Sequence, residues 1–329
     1  MERLLIRLPN WLGDALMARP LLHALRRHFP GARRVAVGPA GLLEALAVED
    51  PELETHAWPG TSGEKARLAE TLRANRPDAA LVLPASFSSA WFAWRSGARR
   101  RVGYAAEGRT PLLTDALRRP PRGERHLSEE YAALGERLGA APVTPPPLAP
   151  AEAWRTAAGE RLVEAGVGSE SLAVLAPGAA YGPAKRWAPE RFARLGDSLA
   201  ARGLAVVLVG AAEDRAACED VATRMRSPVA SLCGKTSLAE LTAVCARASL
   251  VVSNDSGVAH LAAATGTRTV AIFGSTSSAW TAPLGPDVRV VRRAPPCAPC
   301  FRRSCAIGYR CLTAVEVADL ERAAGEPAA

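Results

Sequence analysis

Among its 329 residues the chain has no apolar run that approaches the roughly 18 residues a bilayer-spanning helix needs. A membrane-spanning protein is therefore not expected. The first residues, Met1-Glu2-Arg3, lead into an apolar run of only a few residues, which Pro9-Asn10 breaks, so no secretory leader is read there and the expected compartment is the cytoplasm. No strand-like run is followed by Gly-x-Gly-x-x-Gly, which disfavours a dinucleotide-dependent dehydrogenase. Aromatic residues make up only 5% of the chain and do not interleave with basic ones, as a groove for single-stranded nucleic acid would require. Nucleic acid is thus not an expected partner. Lysine is nearly missing, with 3 against 38 arginines, but a GC-rich coding bias produces the same imbalance, so it carries no functional weight.

What is present is the composition of a globular protein, 48% hydrophobic and 22% charged, long enough for two domains of about 150 residues each. The formal net charge of +8 implies polyanionic company, whether a phosphorylated substrate or anionic headgroups. Short apolar runs predict strands at residues 3–8, 35–38, 78–83, 172–176, 205–209, 250–253 and 269–274, because they have strand length and lack helical period. Amphipathic stretches predict helices between them, at 15–28, 41–47, 65–75, 129–138, 151–165, 189–202 and 259–265. The alternation predicts an α/β chain. Residues 142–150 hold five prolines, no charge and no apolar period, and read as a linker between domains at 1–146 and 147–329. Two such domains are expected to face across a cleft.

Polar residues gather where strands end and helices begin, which is where open α/β sheets bind ligands. Asp14 is placed so in the first half. In the second, Asp255-Ser256-Gly257 joins a strand to a helix. Free backbone N–H groups, the helix dipole, a hydroxyl and the missing Cβ of Gly257 suit an anion there, with His260 one turn further on the same face. The alternative is that Asp255 or Ser256 merely caps the helix. Lys185 and Arg186 put two cations on the loop after strand 172–176. Glu213 and Asp214 either accept from ribose hydroxyls or complement a helix N-terminus. Residues 99–101 and Arg125-His126 are basic loops, open to an anionic acceptor or to plain solvation. Trp91, Phe92 and Trp94 read as core fillers or as a binding platform.

Four motifs in one order carry a resemblance: Leu8-Pro9-Asn10-Trp11-Leu12-Gly13-Asp14, Pro177-Gly178 with Lys185-Arg186-Trp187, Gly210-Ala211-Ala212-Glu213-Asp214, and Asn254-Asp255-Ser256-Gly257-Val258-Ala259-His260. Together they resemble the family 9 glycosyltransferases, the ADP-heptose:lipopolysaccharide heptosyltransferases. The opening and the tail are most similar to the heptosyltransferase II branch. The resemblance implies a GT-B fold of two Rossmann-like domains and an inverting, metal-independent transfer of heptose from ADP-heptose to the inner core of lipopolysaccharide. It also implies a lipid A-core glycolipid acceptor and peripheral association with the cytoplasmic face of the inner membrane. By the same resemblance Asp14 would be the general base, in a motif that puts Asn10, Trp11 and Gly13 on the acceptor side, where the basic loops make Arg101 and His126 further candidates against plain solvation. Lys185 would neutralise the diphosphate, aided by Arg186, Ser256 and Gly257. Asp255 would hold donor-sugar hydroxyls, and His260 would support the phosphate turn. Asp214, beside Glu213, matches the ribose-contacting acid, though the family pattern has Glu there. Rival readings are a GT-B transferase or epimerase for another sugar nucleotide, and a nucleotide-binding protein without catalysis.

Four of the seven cysteines, Cys297, Cys300, Cys305 and Cys311, fall in one short span whose spacing is not that of two tight zinc-binding pairs. Structural thiols, a structural metal and redox sensing all remain open for them. Cys218, Cys233 and Cys245 lie within helix or strand patterns and read as small core residues.

Overall fold

Leu4, Leu5 and Ile6 are apolar in succession, the pattern of a strand covered on both faces, and they form the centre of β1 (Arg3–Arg7). Around β1 are β2 (Arg33–Gly38), β3 (Glu54–Ala57), β4 (Ala79–Val82), β5 (Arg100–Tyr104) and β6 (Asp115–Leu117), in the order β3-β2-β1-β4-β5-β6. Every pairing is parallel, with Leu5 opposite Val35 on one side and Ala80 on the other. The second sheet repeats the plan. It consists of β7 (Leu172–Ala176), β8 (Ala205–Leu208), β9 (Ala230–Ser231), β10 (Leu250–Asn254), β11 (Thr269–Phe273) and β12 (Val288–Arg292), ordered β12-β11-β10-β7-β8-β9. Its pairings are also all parallel.

In this computed structural model residues 1–168 and 170–325 are described, and the chain divides into two units, Met1–Pro146 and Pro147–Ala329. The division falls inside the proline-rich stretch. Beyond it, Leu148 is buried and its N–H bonds the Ala264 carbonyl at 2.7 Å, so the last part of that stretch packs into the second unit. Among the described residues no helix is long and apolar enough to cross a membrane.

Parallel pairing gives each sheet one edge where every strand ends. Strand order reverses between β1 and β4 in the first sheet and between β7 and β10 in the second, so the loops that follow those strands splay apart and open a crevice. The continuous helix expected at 15–28 is two helices, Leu12–Leu16 and Arg19–His28. Pro20 is the reason: it has no N–H to donate back into the first helix and instead begins the second. The aromatic cluster divides as well. Phe92 is buried and meets Trp58 edge-on with ring centroids 5.2 Å apart, whereas Trp94 stays half exposed.

Candidate functional site

At the carboxyl edge of the first sheet, Asp14 occupies the first turn of helix Leu12–Leu16, directly after β1. It is half-buried, and its charge is felt by Tyr131, whose phenol is pushed well above its ordinary range by burial first and the Asp14 carboxylate second. The loop before it is set by Arg7, a residue the sequence reading passed over. Arg7 is fully buried at the end of β1 with its guanidinium stacked 3.7 Å from the Trp58 ring centroid, and it donates to Asn10 Oδ1 at 2.5 Å and to the Leu8 carbonyl. Burial lowers its pKa to about 9, so it stays charged at neutral pH. The buried Arg7 guanidinium thus fixes the Asn10 side chain and leaves Trp11, 57% exposed, at the rim beside Gly13. Arg109 does similar work further along: wholly buried, it donates to the carbonyls of Tyr104, Ser86 and Pro84 and joins the ends of β4 and β5.

The two basic acceptor-side candidates are placed differently by the structure. Arg101 stands at the start of β5, on the sheet edge opposite Asp14, and its guanidinium is held by the carbonyls of Leu112 (2.7 Å) and Ala98 (2.6 Å). A basic run entering a parallel strand lies at the amino edge, away from the crevice. His126 does follow β6 at the carboxyl edge, but its ring caps helix Leu127–Glu136. Nδ1 accepts the Ser128 N–H at 3.2 Å and contacts Ser128 Oγ at 2.7 Å, while Glu129 reaches back to the His126 N–H.

In the second unit the loops after β7, β8, β10 and β11 share one edge. Asp255 is neither a helix cap nor free. Its Oδ2 lies 2.5 Å from Lys185 Nζ, with side-chain exposures of 3% and 13%, and it also accepts from Thr276 Oγ1. Loops from β7 and β10 therefore meet in one ion pair, to which the loop after β11 adds a hydroxyl donor. Ser256 stands at the N-cap of helix Gly257–Ala264 without accepting from its first turn; its Oγ is 2.9 Å from Ser253 Oγ. Ser256 and Asp255 thus leave the N–H groups of that turn uncapped by their side chains, beside Gly257 and at the positive end of the helix. His260, nearly buried, is one turn further along the same helix.

Asn254, at the end of β10, joins this turn to the β7 loop. Buried completely, it accepts the Trp187 N–H at 3.0 Å and donates to the Pro177 carbonyl at 2.7 Å. The motif containing it was visible in the sequence, but its partners, contributed by the loop after β7, were not. Arg186 is exposed and donates to the Ala179 carbonyl at 3.2 Å, and together with Pro177 and Trp187 it lines an open cavity of about 580 Å³.

Asp214 sits close to that loop too. A Cβ at Gly178 would fall 2.1 Å from the Asp214 carboxyl carbon, so only glycine lets the β7 loop lie against that carboxylate. One Asp214 oxygen accepts the Ala211 N–H at 3.1 Å, the helix-entry role weighed from sequence, while Glu213 is exposed.

The four clustered cysteines follow β12. Cys297 and Cys300 are exposed, Cys305 is half-buried and Cys311 is buried, and all four are free thiols. Among the described residues no group of three or more His, Cys, Asp or Glu side chains is gathered to hold a metal ion. Cys305 Sγ accepts the Tyr309 N–H at 3.3 Å, and hydrogen bonds from the Ile307 and Tyr309 N–H groups lower its pKa. The other three cysteines are free and buried, Cys218 and Cys233 within the second unit's core cluster.

Comparison with known proteins agrees with this arrangement. The profile of glycosyltransferase family 9 (heptosyltransferase) matches residues 65–309. Lipopolysaccharide heptosyltransferase 2 of Salmonella typhimurium is 32% identical over 309 residues, covering 88% of each chain. The solved structure of the Escherichia coli ADP-heptose lipopolysaccharide heptosyltransferase II is similar with a TM-score of 0.83 at 28% identity, over 98% of this chain and 97% of that one. The E. coli heptosyltransferase WaaC solved with ADP shares the fold, with a TM-score of 0.74 at 21% identity over 97% and 98%. Two parallel α/β units with these ordered motifs make the chain a GT-B protein and a member of glycosyltransferase family 9, the heptosyltransferases.

Proposed function

We propose that this glycosyltransferase moves heptose from ADP-L-glycero-D-manno-heptose to the inner core of lipopolysaccharide, with the second unit binding the ADP-sugar and the first the glycolipid acceptor. The observation that carries the reading is the Lys185–Asp255 ion pair at the β7/β10 switch point, beside an uncapped helix start. In a parallel sheet that is the place for a phosphorylated ligand. The names of the family relatives supply the sugar and the acceptor class.

In this reaction Asp14 takes the proton of the acceptor hydroxyl as its oxygen attacks the anomeric carbon from the face opposite the diphosphate. The carbon–oxygen bond to phosphate breaks, the configuration inverts and ADP leaves. A base needs hydrogen-bond reach to that hydroxyl, and Asp14 stands half-buried in the first turn after β1, at the carboxyl edge of its sheet. Lys185 and the first N–H groups of helix Gly257–Ala264 stabilise the charge that grows on the leaving diphosphate, with Arg186 nearby. Asp255 holds Lys185 in place. Asp214 accepts from the ribose, and His260 supports the phosphate turn. No step requires a metal. Because the acceptor is a lipid-anchored sugar, the enzyme works at the cytoplasmic face of the inner membrane as a peripheral protein, to which its +8 charge is suited.

The test is release of ADP from ADP-heptose with and without a heptosylated Kdo-lipid A acceptor. Acceptor-dependent release is expected. Release from another nucleotide sugar, but none from ADP-heptose, would overturn the donor assignment.

A further inference from the structure

The cysteine-bearing segment after β12 packs onto the loops that hold Lys185 and Asp255. The Ala184 N–H donates to the Arg303 carbonyl at 3.0 Å, and the Tyr181 hydroxyl donates to the Phe301 carbonyl. From the other side, the Ser275 carbonyl accepts the N–H groups of both Cys300 (3.0 Å) and Phe301 (2.8 Å). Ser275 adjoins Thr276, the partner of Asp255. Gly182 marks how close the approach is: its φ is +141°, and a Cβ there would come 2.7 Å from the Arg303 carbonyl oxygen.

This packing brings a second cation to the site. Lys185 Nζ lies 4.9 Å from the centroid of the Tyr181 ring and Arg303 Cζ lies 5.5 Å from the same centroid. The two charges are therefore within about 10 Å of each other. They differ in one respect. Lys185 is already neutralised by Asp255, whereas the exposed Arg303 guanidinium has no carboxylate partner among the described residues. A neutral pair cannot by itself balance the charge of a nucleoside diphosphate, and an unpaired guanidinium with its planar fork of donors can. A second feature points to a ligand here: Ser275 Oγ is buried and has no hydrogen-bond partner among the described residues.

We infer that Arg303 is a second residue binding the donor diphosphate, and that Tyr181 is the positioning residue whose ring holds Arg303 beside Lys185. The inference rests on the ADP-sugar reading given above and adds to it a residue from the cysteine-bearing segment. The cation–π contacts limit where both charges can go, so the ring sets their spacing before the ligand arrives.

Calorimetric titration of the whole chain with ADP and with adenosine separates the possibilities. Arg303→Gln should weaken ADP binding by about tenfold and leave adenosine binding unchanged, since only the diphosphate meets the guanidinium. Arg303→Lys, which keeps the charge and loses the fork, should fall between the two. Tyr181→Leu should weaken ADP as Arg303→Gln does, and Tyr181→Phe, which keeps the ring, should restore it. ADP affinity in Arg303→Gln within twofold of native, while Lys185→Ala weakens it, would overturn the role of Arg303 and leave the donor site standing. A native chain that binds no ADP would overturn both readings together.

Discussion

Lys185 Nζ lies 2.5 Å from Asp255 Oδ2, joining the loop after β7 to the turn after β10 in an ion pair that is almost wholly buried. Its consequence is that either residue alone is a liability. Lys185→Ala and Asp255→Ala should each destabilise the second unit by about 2–4 kcal/mol, because each strands a buried charge. Lys185→Met with Asp255→Leu should recover much of that loss and still bind no ADP. Denaturant unfolding of the three variants, alongside ADP titration, measures the coupling; additive losses in the double variant would show that the pair is not a unit.

Gly178 and Asp214 make a second coupled pair. A methyl at position 178 would overlap the Asp214 carboxylate, so Gly178→Ala should cost about 1–3 kcal/mol and lower donor affinity. Adding Asp214→Ala removes the obstructing group. Stability should then return while donor affinity stays low, a separation that thermal unfolding and ADP titration read independently.

Alkaline pH tests the first unit. The Tyr104 phenol donates to the Glu130 carbonyl at 2.7 Å, and burial, followed by the nearby Glu130 charge, raises its pKa to about 12. The folded state therefore holds this proton where the unfolded chain releases it near pH 10. Stability is fully present below about pH 10 and is lost as pH rises toward 12, with Tyr131 shifted in the same direction. Tyr104→Phe should make this alkaline loss shallower. A stability profile in which the two proteins fall in parallel would contradict the assignment.

Much of the fold was legible because the central strands are short, unbroken apolar runs: β1, β4, β7, β10 and β11 are each covered on both faces, and their sequences say so. The edge strands were not. β3 reads Glu-Thr-His-Ala and is half exposed, β9 has only two residues, and β12 reads Val-Arg-Val-Val-Arg, so none carries a continuous apolar signal. At the site, the strand-to-helix turns were legible as local patterns, and the motif residues Asp14, Lys185, Asp214 and Asp255 all lie at the carboxyl edges of their sheets. What side chains do to one another across loops was not. Asp255 looked like a sugar ligand or a cap, and its pairing with Lys185 needs the sheet order to be known. Arg7, Asn254 and Tyr181 act through partners distant in sequence. The sheet edge on which Arg101 lies was not legible either, because a run of charge says nothing about position until the direction of the strand beside it is taken into account.

The role of Asp14 is the most direct test of the account. Asp14→Asn keeps the size and polarity of the side chain and removes its basicity, so calorimetry should show ADP-heptose binding unchanged. Acceptor-dependent ADP release should fall by about 10²–10⁴-fold, the range for loss of a general base. Native turnover in Asp14→Asn would contradict the account, since the acceptor hydroxyl would then be losing its proton to some other group.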